Sequence, residues 1–339
     1  MQDSATTHSN RDLHNLTMTE SASQSRLKYF PAAWFSTVMG LSGFTIAWSR
    51  AEHIFGLSFA ISPFLLVFTS LIFVVLTVLY AIKIIRFPQD VLAEVTHPVK
   101  VAFVPSFSIS LLLLSIALLQ TAPELSFWLW SIGTVLHLTL TLYVISSWIH
   151  HTKYEIAHLN PAWFIPVVGN ILVPIAGIHH APADISWFFF SLGVFFWPVL
   201  TALVFNRLIF HGSLPERFMP TLFIFVAPPA VGFVSWFNLI GGVDAFGKIL
   251  YFVGLVFTLL LASQIRYFTR IKFFLSWWAY LFPLAAMTIA SLLMAKTTGF
   301  AFYATLAGIL LGILTLVVIG LLARTSIAVV RREICVEGH

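Results

Sequence analysis

Charge is what this chain has least of. Asp, Glu, Lys and Arg make up 9% of its 339 residues, where a soluble domain carries roughly 25%. With 59% hydrophobic residues and a mean hydropathy of +0.94, it cannot present a water-compatible exterior and reads as an integral membrane protein. Cysteine is nearly absent. Cys335 stands alone, which excludes a disulfide framework and a cysteine-based metal site. Carboxylates are missing from the middle of every apolar run: all 13 acidic residues fall in tails, loops or span ends. A proton-coupled carrier places a costly ionisable relay inside the membrane, so this absence favours a passive conduit. No grouping of acid, nucleophile and metal ligand supports an intramembrane enzyme. The pairs His150-His151 and His179-His180 have no further ligand at metal spacing, and nothing calls for a metal, a cofactor or a nucleic-acid partner.

What is present is a series of apolar runs near the roughly 20 residues that cross a bilayer. They predict an all-α fold of ten transmembrane helices at 31–49, 61–85, 101–121, 124–149, 161–179, 184–210, 219–241, 245–267, 273–295 and 299–323. A disordered N-terminal tail is expected over 1–28, the membrane domain over 29–323 and a C-terminal tail over 324–339. With both termini in the cytoplasm, 15 of the 18 Lys and Arg residues are cytoplasmic and only Arg50, Lys248 and Lys296 are not, as the positive-inside bias requires. Short outer connections pair each odd span with the next even one, giving five helical hairpins, a weak repeat.

The irregularities collect in the odd spans: Gly40 and Gly43, Pro105, Pro166 and Pro174, Pro228 with Pro229, and Pro283. A single proline is also what any kinked, packed helix contains. Recurrence in alternate spans instead suggests an inner ring of odd helices around a pore, because broken backbone in lipid must face protein or a water-filled cavity. Such breaks are expected to leave amide donors that create a diffuse positive field. Small polar residues on the same spans, Ser36, Thr37, Ser106, Asn170 and Thr288, are the candidate pore lining, since a neutral polar wall binds an anion weakly enough to release it. Phe282 precedes Pro283 at mid-depth, where a ring across a narrow neutral passage excludes water. It is the candidate gate, against the plain alternative that it packs like most of the 34 phenylalanines. His137 is the one intramembrane histidine, either a proton acceptor or a neutral group hydrogen-bonded to a neighbouring helix.

Several short segments resemble one family in order and spacing. They are Pro31-Ala32-Ala33-Trp34-Phe35-Ser36-Thr37-Val38-Met39-Gly40 with Trp48, His97-Pro98-Val99-Lys100, Asn160-Pro161 with Pro166 and Asn170, Ala227-Pro228, and Trp278-Ala279-Tyr280-Leu281-Phe282-Pro283. Over residues 28–325 the chain resembles the tellurite-resistance and dicarboxylate transporter family, which includes fungal malate and sulfite transporters and the slow anion channels of plant guard cells. The resemblance implies ten helices as five pseudo-fivefold hairpins, inner odd helices lining a pore, a homotrimer with one pore per protomer, and Phe282 as the obstructing ring. It implies transport of small inorganic anions, oxyanions such as tellurite or sulfite, or small organic acids across the bacterial inner membrane. The alternative is proton-coupled C4-dicarboxylate or sulfite transport, with His137 the only internal coupling group. The chain departs from the pattern at Val38, near which bacterial relatives carry a proline.

Overall fold

The computed structural model describes residues 26–335. Most of the expected N-terminal tail and the last four residues lie outside the described residues. Among the described residues all regular structure is helical. Nine stretches are long and apolar enough to cross a membrane: Ser62–Arg86, Lys100–Leu118, Pro123–His150, Pro161–His180, Ala183–Phe210, Glu216–Ile240, Ala245–Ser263, Leu275–Thr298 and Ala301–Val330. The first expected span is the helix Phe35–Phe55, whose end carries Arg50, Glu52 and His53. The tenth runs through Val330 rather than ending at 323. The chain then turns back so that Arg26 Nη2 donates to the Ile334 carbonyl at 3.4 Å.

Burial separates two classes of helix. In the third, fifth, seventh and ninth spans, 61–89% of the most apolar stretch is buried, against 11–33% in the even ones. Each odd span packs against the even span that follows it. The odd spans also touch in the order first, third, fifth, seventh, ninth, and the ninth returns to the first. Five hairpins therefore close into a ring, with the irregular helices inside and the regular, lipid-compatible ones outside. Pro198 does not break the sixth span, which is helical from Ala183 to Phe210.

The inner spans share one irregularity. Four enter as tight 3₁₀ turns and widen to an α-helix: Ala32–Trp34 before Phe35–Phe55, Lys100–Phe103 before Ser106–Leu118, Glu216–Val226 before Ala227–Ile240, and Leu275–Tyr280 before Leu281–Thr298; the fifth span does so twice, Pro161–Trp163 before Phe164–Val168 and Gly169–Leu172 before Val173–His180. Prolines mark these junctions. Pro105 caps the third-span helix, while Pro174, Pro228 and Pro283 stand in the first turn of theirs, where a missing amide costs nothing. Pro166 lies in the short helix Phe164–Val168. At three of these junctions the amide expected to be free is hydrogen-bonded: Val173, Ala227 and Leu281 donate to the carbonyls three residues back, of Asn170, Ile224 and Trp278.

Gly40 is a correction of another kind, since the first-span helix passes through it without interruption. No proline stands near Val38 to break it. What Gly40 and Gly43 supply is approach: a Cβ on Gly40 would lie 2.7 Å from Leu281 Cβ, and one on Gly43 2.9 Å from Ala285 Cβ. Small residues at such a crossing let two membrane helices meet backbone to backbone. Gly40→Val is expected to cost about 1–3 kcal/mol by overpacking, because Leu281 Cβ cannot rotate away. The measurement is the melting temperature of detergent-purified protein, and an unchanged value would refute the contact's importance.

Candidate functional site: two cavities and the ring between them

All five inner spans face a common lumen. Its larger part is a vestibule of about 820 Å³. Toward the ring it is lined by Ser36 and Met39, Ile109, Val168 and Leu172, Ala227, Pro228 and Val231, and Ala279 and Phe282. Its outer rim holds Lys28, Asp90, His97, Lys100 and Arg217, on the side the basic-residue bias assigns to the cytoplasm. Beyond lies a much smaller cavity of about 30 Å³, lined by Gly43, Ile46, Arg50, Leu113, Ile116, Ile175, Val234, Ala286 and Ile289. The helical spacings Leu113/Ile116, Val231/Val234 and Ala286/Ile289 show one face of each inner helix turned to this space.

Phe282, Leu172 and Val231 line both cavities. Phe282 is half-buried, whereas its neighbours Leu281 and Pro283 are buried. The reason is local: Phe282 is the second residue of the helix Leu281–Thr298, where the chain widens from 3₁₀ to α. Its ring rests on the first span, since a Cβ on Gly43 would meet Phe282 Cδ2 at 3.4 Å. Glycine there gives the ring a flat seat. The junction is apolar, with cations on both flanks: Arg50 lines the small cavity, and Lys100 and Arg217 line the vestibule.

The polar candidates separate. Ser36 lines the vestibule and bonds to the Ala33 carbonyl at 2.6 Å. The others line neither cavity. Thr37 Oγ1 donates to the Trp34 carbonyl at 2.7 Å and Thr288 Oγ1 to that of Leu284 at 2.8 Å. Ser106 Oγ donates at 3.2 Å to the Ala32 carbonyl, tying the third span to the first. Asn170 turns outward, its Nδ2 donating to Thr141 Oγ1 at 2.9 Å on the fourth span and to the Val167 carbonyl at 2.7 Å. Gly40 and Pro105, Pro166 and Pro174 likewise shape the inner helices without lining the cavities, whereas Pro228 and Pro283 reach the vestibule wall. His137 is fully buried, with Nδ1 2.8 Å from Ser108 Oγ, and it packs behind Gly169.

One feature of the vestibule wall had no sequence signal. Glu94, on the short helix Pro88–Thr96, and Lys83, at the end of the second span, form a buried ion pair at 2.7 Å with exposures of 5% and 3%. Glu94 Oε1 also accepts from the Ala32 amide at 2.6 Å, and Lys83 Nζ donates to the Phe30 carbonyl at 2.8 Å. The pair thus clamps the entry of the first span.

Helices of membrane-crossing length and apolarity, closed into a ring around a lumen, define a multi-pass membrane protein of the channel and transporter class. Within that class the chain belongs to the voltage-dependent anion channel family, whose model matches residues 29–326. It is 29% identical over 306 residues to the S-type anion channel SLAH3 of Arabidopsis thaliana, covering 88% of this chain and 48% of that protein. A tellurite resistance protein TehA homolog of Haemophilus influenzae is 25% identical over 266 residues, 76% of this chain and 79% of the relative. An uncharacterized transporter of Methanocaldococcus jannaschii is 28% identical over 301 residues, 82% of this chain and 88% of the relative.

Proposed function

We propose that this protein is a passive conduit for small anions, closed at rest by Phe282. The observation that carries the reading is the apolar junction of Phe282, Leu172 and Val231 with cations on both flanks. Fixed cations raise the local anion concentration and repel cations. An apolar constriction between them stops a hydrated ion, because stripping its water in a low-dielectric passage is costly. Moving one ring removes that barrier and leaves no charged site deep enough to trap the ion. The permeant class is small inorganic anions, oxyanions such as tellurite or sulfite, and small organic acids. The setting is a bacterial inner membrane, with both termini cytoplasmic and three protomers each carrying its own passage.

The proton-coupled reading depends on His137, and the structure does not favour it. The ring sits on an outer helix, is satisfied at Nδ1 by Ser108, and lines neither cavity. The two readings separate in one recording. In a planar bilayer holding Phe282→Ala, with a chloride gradient and no pH gradient, the reversal potential is expected to follow chloride, and an imposed pH gradient is expected to leave it unmoved. Uphill anion uptake driven by the pH gradient and lost in His137→Ala would overturn the passive reading.

A further inference from the structure

The vestibule lining holds more cations than carboxylates. Of its charged lining residues, Lys28 faces Asp90 at 3.7 Å and Lys83 faces Glu94 at 2.7 Å. Lys100 and Arg217 remain, and neither has an ion-pair partner among the described residues. They come from different inner spans, Lys100 at the entry of the third and Arg217 at the start of the seventh. The Arg217 guanidinium is held over the Phe218 ring, 5.0 Å from its centroid. His97 lines the same rim, within electrostatic reach of both cations. Its Nδ1 accepts from the amides of Val99 at 3.0 Å and Lys100 at 3.3 Å, so the proton of the neutral ring is on Nε2. Lys153 braces the same turn from the loop after the fourth span, donating to the Thr96 carbonyl at 2.7 Å.

We propose that Lys100, Arg217 and His97 form a binding site for condensed phosphates, from pyrophosphate to nucleoside triphosphates, at the cytoplasmic mouth of the vestibule. Two cations without an ion-pair partner among the described residues and an N–H donor on the same rim match a multivalent oxyanion. A cavity of about 820 Å³ is of the size that holds such ligands. Charge also separates ligand from permeant ion. Attraction to the fixed cations grows with ligand charge, while the cost of dehydration at the apolar ring grows faster still, so a condensed phosphate, larger and more highly charged than the permeant oxyanions, enters, stays and cannot pass. Resting on the conduit reading, the bound phosphate blocks monovalent anion current from that side.

The electrostatics of His97 give a readout that does not depend on conduction. Burial, and then the charges of Lys100, His158, Arg217 and Lys153, hold its pKa below the ordinary histidine value. A bound polyanion offsets that repulsion and raises it, so binding tightens as pH falls through the range in which His97 protonates. The carboxylates nearest His97 in sequence, Glu94 and Asp90, also line the vestibule and face Lys83 and Lys28, whereas Glu155 and Glu216 do not line it.

The test has two arms. In detergent, pyrophosphate is titrated calorimetrically and the His97 ring is followed by NMR. Binding is expected together with an upward move of the His97 pKa, and Lys100→Gln/Arg217→Gln is expected to weaken it by about tenfold or more. No binding, or binding that the double variant leaves unchanged, overturns the site whether or not the protein conducts. In phosphatidylcholine bilayers, pyrophosphate is expected to reduce the chloride current of Phe282→Ala from the vestibule side only. Block that appears only when an anionic phospholipid is added to the bilayer would assign the site to a lipid headgroup and overturn the soluble ligand. Calorimetric binding without any chloride current even in Phe282→Ala would retain this site and reject the conduit.

Discussion

Phe282→Ala raises chloride current at least about tenfold, since removing as little as 1.4 kcal/mol of barrier is enough for that factor. The side chain lost is the largest of the three that line both the 820 Å³ and the 30 Å³ cavities, so its truncation joins them. Water then reaches the small cavity, and the anion keeps part of its hydration shell where an apolar ring had stripped it. Leu172→Ala and Val231→Ala widen the same junction but have smaller expected effects, because each removes an aliphatic side chain from the rim and leaves the ring on its Gly43 seat. Phe282→Trp retains the obstruction and should stay closed. An unchanged current from Phe282→Ala, with intact surface expression and melting temperature, would place the barrier elsewhere and reject the gate.

The placement of Phe282 at a break in the ninth span was legible in the sequence for a definite reason. Pro283 restricts the local backbone, and a large ring immediately before it is presented at the 3₁₀-to-α junction. The inner and outer rings were legible too, because proline and glycine cluster in alternate apolar runs. The pore-lining hydroxyls were not. In a helix, Ser and Thr commonly bond a carbonyl three or four residues back, as Thr37 and Thr288 do here, so residue type does not reveal which face is wet. Leu172 and Val231 escaped because leucine and valine carry no signal of lining. Gly40 was misread because a glycine that permits bending and one that permits contact are the same letter. Only the neighbouring Leu281 Cβ distinguishes them.

The buried Lys83–Glu94 pair leads to the second large effect, this time on stability. Glu94→Ala is expected to destabilise the protein by about 3–5 kcal/mol, because it leaves the Lys83 ammonium buried and unpaired. The effect combines two losses: the ion partner of Lys83, and the acceptor that holds the Ala32 amide at 2.6 Å. Glu94→Gln separates them, since an amide oxygen still accepts from Ala32 but carries no charge. The double variant Lys83→Met/Glu94→Leu removes both charges and leaves chiefly an orphaned amide, whose cost is about 1–3 kcal/mol. The double change should therefore be milder than Glu94→Ala alone. Melting temperature and the fraction of monodisperse protein after detergent extraction measure the ordering. If the double variant is the worse of the two, the pair stabilises by direct attraction rather than by mutual neutralisation, and the clamp on the first span has another origin. If the ordering holds, the vestibule wall tolerates a buried carboxylate only because Lys83 answers it. Lys100 and Arg217 then remain the cations free to meet an incoming anion.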